Sequence, residues 1–288
     1  MRFFSLILLA AALIGTLLSS FVLTDNKATP SSNPPTIGLF VINLDRSPER
    51  WEHTQSLIKD MYFPVKRVQA VDAKALSKST IQSVLDEESF YNYRGRMPRL
   101  GEIGCSLSHH KALTEFLATD LEYALILEDD LEFSPALIEK ILASASQMPH
   151  LWDVLALQLN HRGLPSKQAL LDEASSSYLV EYYGHIVEAG AYLVNRKAAH
   201  LYLAKFFPIT LPFDYYFTRE WEFGLKFRGV EPRPVQQVLP YSYIDNTEIL
   251  NQKDCENPST KTLASRLSKY WFNFKSDCMR IFYTAFLN

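Results

Sequence analysis

Tyr123-Ala124-Leu125-Ile126-Leu127-Glu128-Asp129-Asp130 is a short apolar run that breaks off into three consecutive carboxylates. A run of this length, ended by a polar break, reads as a strand buried on both faces. Side chains alternate along a strand, so Glu128 and Asp130 are expected to project together and Asp129 to the other side. Two carboxylates at the carboxyl end of a buried strand can hold a hard divalent cation, Mn²⁺ or Mg²⁺. Such an ion takes one or two protein carboxylates and leaves its other positions to water and ligand oxygens. Three clustered acids also repel one another without a counter-ion. The competing reading is an acidic turn before a helix, because Ser134-Pro135 makes a good N-cap and first-turn pair. On this stretch alone both readings stay open.

Outward from it, the chain keeps an α/β rhythm. Residues 37–44 form a second apolar strand ending in Asn43-Leu44-Asp45-Arg46, and Ser47-Pro48 starts a helix with Trp51, Leu57, Ile58 and Met61 for its buried face. Residues 65–71 give a third strand, closing on Asp72. Strand, helix, strand in this order begins a mostly parallel central sheet flanked by helices. Residues 76–99 show no clear periodicity, a helix is expected over 106–118, and the acidic strand follows. Further on come a helix over 135–148, a strand over 152–159, an exposed loop over 162–177, a strand over 189–194 and a helix over 196–206. Ligands of open α/β sheets bind outside the carboxyl ends of the strands, where Asn43, Arg46, Asp72 and residues 128–130 would gather.

The 288 residues, 47% of them apolar and 13% aromatic, can build a sizeable core, and a net charge of −3 gives no field for nucleic acid as a general partner. Residues 3–23 are uncharged and mostly apolar, long enough for a membrane-spanning helix. Residues 1–24 are therefore read as an anchor, with a cleaved signal as the alternative because of Ser19 and Ser20. Residues 25–36 are a stalk, 37–250 the main domain, and 251–288 a basic, aromatic tail that suits a membrane surface or packs on the domain as a terminal helix. The single positive side chain Arg2 biases orientation only slightly. Two locations stay open: a bacterial inner membrane with a cytoplasmic domain, or a Golgi-type lumenal domain. Cys105, Cys255 and Cys278 cannot all pair and match no zinc or redox spacing, and Asn257 is followed by Pro258, which removes it as a glycan acceptor.

Five segments together resemble glycosyltransferase family 25, the lipooligosaccharide galactosyltransferases and their relatives. They are residues 41–50 (VINLDRSPER), 101–109 (GEIGCSLSH), 124–135 (ALILEDDLEFSP), 190–199 (GAYLVNRKAA) and 211–216 (LPFDYY), in the family's order. The resemblance implies a GT-A-like nucleotide-sugar-binding fold, an inverting transfer, and a nucleotide-sugar donor with UDP-galactose foremost. It also implies a saccharide or glycolipid acceptor such as a lipopolysaccharide core or a glycoprotein glycan. Carried over residue by residue, Asn43, Arg46, Arg50, Asp72, His109 and Asp129 fall on the donor side, and Glu128 and Asp130 on the metal. Each has a plainer reading: a solvated helix start for the two arginines, a turn for Asp72, a structural hydrogen-bond partner for His109.

An inverting transfer needs a base near the acceptor hydroxyl. Asp214, framed by Pro212, Phe213, Tyr215 and Tyr216, is the first candidate, because apolar neighbours raise a carboxyl pKa and aromatic faces suit a sugar ring. Glu188 is the rival. Other expectations compatible with the sequence are a membrane-tethered binding protein that has lost turnover, and a metal-dependent phosphohydrolase. The latter wants a second group of metal ligands, which the sequence does not offer.

Overall fold

A computed structural model describes residues 36–237 and 263–287. The expected anchor, nearly all of the stalk, the start of the tail and Cys255 lie outside the described residues. In chain order the strands are β1 (Ile37–Asn43), β2 (Val65–Gln69), β3 (Tyr123–Glu128), β4 (Leu131–Phe133), β5 (Val154–His161), β6 (Leu164–Asp172), β7 (Ser177–Tyr183), β8 (Ile186–Asn195), β9 (Phe227–Glu231) and β10 (Val235–Gln237). The helices are α1 (Pro48–Ile58), α2 (Lys78–Val84), α3 (Glu87–Arg94), α4 (Leu100–Leu117), α5 (Pro135–Ser146), α6 (Arg196–Ala204), α7 (Phe213–Phe217), α8 (Glu220–Phe223) and α9 (Leu263–Phe286), with a 3₁₀ turn at Ala73–Ala75.

Eight strands make one sheet in the order β2-β1-β3-β8-β5-β9-β7-β6, and β4 pairs with β10 in a separate ribbon. The architecture is the expected α/β sheet flanked by helices. Its pairing is mixed: β2, β1 and β3 run parallel, β8 runs antiparallel to β3 and to β5, and β9 runs parallel to β5. β1 and β3 are continuous apolar runs because both their faces are covered. Phe40, Ile42 and Ile126 enter the core beneath α4 and α6, while Leu39, Val41, Leu125 and Leu127 enter the other beside Ile58 of α1 and Ile138, Ile141 and Leu142 of α5.

Two stretches differ from their sequence reading. Residues 76–99, expected without regular structure, contain α2 and α3. These helices are too short to show a long stripe and are set by their ends: the Ser77 hydroxyl accepts from Thr80 N at 3.1 Å and Asp86 Oδ1 from Ser89 N at 2.9 Å. Gly95, at φ +67°, closes α3 in the left-handed conformation. Residues 162–177, expected as an exposed loop, carry β6 instead. It is an edge strand paired only with β7, so most of its side chains face solvent and its alternation is weak.

Helix α4 starts six residues earlier than its expected beginning at Ser106. Glu102 Oε2 accepts the backbone N–H of Arg99 at 2.8 Å and satisfies the new start. The helix then lies close under the end of β2. Ser108 Oγ accepts from Val71 N at 2.8 Å, and a Cβ on Gly104 would stand 2.6 Å from the Val71 carbonyl oxygen.

Candidate functional site

β3 ends at Glu128, and the chain bends through Asp129 and Asp130 into β4. The three acids have three environments. Glu128 turns to α4, where its Oε1 lies 3.2 Å from His109 Nε2 and accepts from the Cys105 thiol at 3.7 Å. Burial alone would raise the Glu128 carboxyl, but the hydrogen bond and charge of His109, helped by Cys105 and Arg50, hold it below its ordinary value. The Cys105 thiol is pushed well up by burial and by the neighbouring carboxylates, which keeps its proton on sulfur.

Asp129 accepts from Asn43 Nδ2 at 2.6 Å and from Arg50 Nη1 at 3.0 Å. Burial raises its carboxyl despite both donors. Asn43 is buried, and its Oδ1 accepts from Arg67 Nε at 2.9 Å. Its amide is therefore spent on holding the ends of β1 and β3 together. Asp130 accepts from Gln237 Nε2 at 2.9 Å and has Arg50 Nη1 at 3.6 Å, while its other oxygen, Oδ1, is buried without a hydrogen-bond partner. Its carboxyl is pushed up to about 6, first by burial and then by the Glu128 charge.

That orphaned oxygen is what a cation would satisfy. Among the described residues, Cys105, His109 and Glu128 also bring ligand atoms within 4.8 Å of one another. This trio, however, already satisfies itself by hydrogen bonds, and a protonated thiol is a poor ligand for a hard ion. The oxygen chemistry of Asp130 and Glu128 fits Mn²⁺ or Mg²⁺ better.

Two clefts meet at this point, and Cys105, Glu128 and Gln237 line both. The first runs past Arg46, Arg50, Asp72, His109, Asp129 and Asp130. Arg46 Nε is ion-paired with Asp72 Oδ2 at 2.8 Å, and Asp72 Oδ1 also accepts from Lys74 N at 3.1 Å, the turn role open to it. His109 is buried, stacked on Phe213 at 4.1 Å between centroids, with Nδ1 3.1 Å from the Tyr192 hydroxyl. Its ring is fully engaged, so it orients Glu128.

The second cleft, of about 310 Å³, is lined by Glu102, Gln158, Glu188, Gly190, Phe213 and Asp214 with the shared residues. Both candidate bases stand in it. Asp214 is pushed up to about 6 by burial, against the nearby Arg94 charge. Glu188 sits at φ +89°, a conformation that costs a non-glycine residue roughly 1–3 kcal/mol. Its Oε2 accepts from Gln158 Nε2 at 2.6 Å, and Gln158 Oε1 accepts from Gly190 N at 3.0 Å. Burial raises the Glu188 carboxyl, while the Gln158 bond opposes it. A Cβ on Gly190 would meet Gln158 Oε1 at 2.8 Å, which accounts for glycine there.

Every site residue expected from the sequence is therefore near this junction, though Asn43 and His109 act through their neighbours. Cys105, Gln158 and Gln237 join the site without having been expected. Cys105 lies one helical turn before His109, a spacing that places both on one face. The glutamines have no comparable signal.

A mixed α/β sheet whose strand β3 ends in an acidic cluster between two clefts is compatible with a GT-A-like fold. Residues 36–217 match the family described as glycosyltransferase family 25 (LPS biosynthesis protein). The chain belongs to that family. It is 27% identical over 252 residues, 80% of its length, to a probable inactive glycosyltransferase 25 family member 3 of Rattus norvegicus, covering 43% of that protein. It is 35% identical over 108 residues to procollagen galactosyltransferase 2 of Homo sapiens, a match of 36% of this chain and 17% of the other. A glycosyltransferase 25 family member of Drosophila pseudoobscura pseudoobscura is 34% identical over 113 residues, 37% of this chain and 18% of that relative. In each case the match takes in less than half of the relative's length.

Proposed function

We propose that the chain transfers a sugar, galactose foremost, from a nucleotide-sugar donor such as UDP-galactose to a saccharide acceptor with inversion. The supporting observation is the acidic end of β3 at the junction of two clefts, with a buried Asp130 oxygen left unpartnered. Arg46, Arg50 and Asp72 suit the nucleotide end of the first cleft, and the second receives the acceptor. Mn²⁺ or Mg²⁺ held by Asp130 and Glu128 would offset charge on the leaving diphosphate. Asp214, with Glu188 as its rival, accepts the proton of the acceptor hydroxyl. That oxygen bonds to the anomeric carbon as the bond to the diphosphate breaks, and the nucleoside diphosphate leaves. Residues 3–23 serve as a membrane anchor, which suits a lipid-linked acceptor of lipopolysaccharide type; a glycoprotein glycan is the alternative.

Donor hydrolysis by the full chain, screened over several nucleotide sugars with Mn²⁺ and with chelator, tests this reading. Cation-dependent hydrolysis of one sugar nucleotide, lost in Asp130→Asn, is the expected outcome; wild-type turnover in that variant at limiting Mn²⁺ refutes the assignment. The inactive family member among the relatives favours a second reading, a nucleotide-sugar-binding protein without turnover. Saturable UDP binding with no hydrolysis of any donor would select it.

A further inference from the structure

The C-terminal helix α9 is amphipathic in an inverted sense. Its inner face is fixed to the domain by polar groups and two rings: Phe272 and Tyr283 are buried, and Arg280, 3% exposed, donates from Nε to Glu220 Oε1 at 2.9 Å and from Nη1 to the Gly184 carbonyl at 2.9 Å. Its outer face carries Tyr270, Trp271, Phe274, Ile281 and Phe282, which with Leu267 and Cys278 recur every three or four residues in one stripe. Trp271 is 66% exposed and Tyr270 74%. A contiguous apolar face of this kind marks an interaction site.

Beside the stripe opens a third cleft, of about 890 Å³, bordered by Tyr270, Phe274 and Ile281. Arg94, Arg96, Arg162 and Lys269 line it, Arg96 held by Glu102 at 2.7 Å, and its one lining carboxylate, Asp277, faces His185 at 3.7 Å. The Arg94 guanidinium lies 3.7 Å over the Tyr215 ring, and its Nε and Nη1 are buried without a hydrogen-bond partner. Buried guanidinium nitrogens with no acceptor are costly, and a phosphate oxygen satisfies them.

We propose that α9 and this cleft form a docking surface for an anionic lipid layer, the aromatic stripe entering the headgroup boundary and the cleft taking a lipid phosphate. Tryptophan, tyrosine and phenylalanine beside cations are the composition of an interfacial helix. Charge complementarity selects the partner. A second copy of the chain meeting this face about a two-fold axis would set Arg94 and Arg162 against the same cations, whereas an anionic headgroup neutralises them. This surface does not depend on sugar transfer.

The test uses the full chain in nanodiscs of phosphatidylcholine, alone or mixed with phosphatidylglycerol. A fluorophore on Cys278, with Cys255→Ser leaving it the accessible thiol, reports on the stripe whatever else binds the disc. Brominated acyl chains should quench the probe, with a roughly twofold or greater loss of intensity in the anionic discs. Arg162→Gln and Arg94→Gln should each lower the docked-to-undocked ratio about fivefold in anionic discs and little in neutral ones. Trp271→Glu should lower it in both. A probe left unquenched in both lipids overturns the proposal, as does oxidative cross-linking of copies through Cys278 in place of quenching. Equal quenching in the two lipids, unchanged by either arginine variant, overturns the role of the cleft.

Discussion

Asp130→Asn should make the cation-free protein more stable at pH 8. The Asp130 carboxyl is raised from its ordinary 3.8 to about 6 by burial and by Glu128. The folded state therefore favours the protonated form. Well below pH 3.8 the group is protonated whether folded or unfolded and carries no penalty. As pH rises to 6 the unfolded chain ionises first, and above 6 the full penalty applies, about two pKa units or roughly 3 kcal/mol. Asparagine keeps the volume, can still bond Gln237, and removes the charge. For a domain of this size the gain corresponds to a rise in Tm on the order of 5–10 °C. The assay is a thermal melt with chelator at pH 8 and again near pH 3, where the difference should vanish. Mn²⁺ at a thousand times its Kd should reverse the order at pH 8, because it stabilises only the protein that binds it, by about 4.1 kcal/mol. A variant no more stable than wild type at pH 8, or equally stabilised by Mn²⁺, refutes the account of Asp130 as a strained, cation-seeking carboxylate.

Asp214→Asn should slow the chemical step by roughly a hundredfold or more with donor binding unchanged by titration, and in wild type at saturating cation the rate should fall as pH drops through about 6. Normal turnover in Asp214→Asn would make Glu188→Gln the decisive variant. Asn43→Ala should cost roughly 1–3 kcal/mol in denaturant unfolding, because Asp129 and Arg67 lose a buried partner. Gly104→Ala should destabilise by roughly 1–3 kcal/mol and weaken nucleotide binding, since the new methyl meets the Val71 carbonyl. Arg280→Leu should cost roughly 3–5 kcal/mol by leaving Glu220 buried without its partner, read by chemical denaturation.

The sequence makes the core of the site legible where side-chain pattern and backbone geometry coincide. The apolar run from Tyr123 reads as a buried strand because both faces of β3 are covered, but the chain bends after Glu128, so strand alternation does not carry on to Asp129 and Asp130. Ser134 caps α5 locally, its hydroxyl accepting from Leu137 N at 3.4 Å, whereas α1 opens on Pro48 and the Ser47 hydroxyl makes no cap bond. β6 is not legible, because an edge strand has no second partner to demand an apolar face. Gln237 is not legible either: its bond to Asp130 spans 107 residues and depends on β10 pairing with β4. Nor does sequence reveal that Asn43 is consumed by Asp129 and Arg67, because a residue's partners are set by tertiary contact. Glu188 is visible as a carboxylate, but its positive φ belongs to the backbone alone.

The seam between β3 and β8 divides the chain's labour. Residues up to Asp130 furnish most of the first cleft, and those from Gln158 to Gln237 much of the second. Because β8 runs against β3, Glu188 near its beginning comes to the same rim as Glu128 at the end of its neighbour. On the proposed function, donor and acceptor would be read by largely separate stretches of sequence that share a small hinge of residues. A molecule so divided could drift in what it modifies while keeping what it consumes, and on the proposed function grafting residues 158–237 between relatives should exchange acceptors without rebuilding the acidic strand.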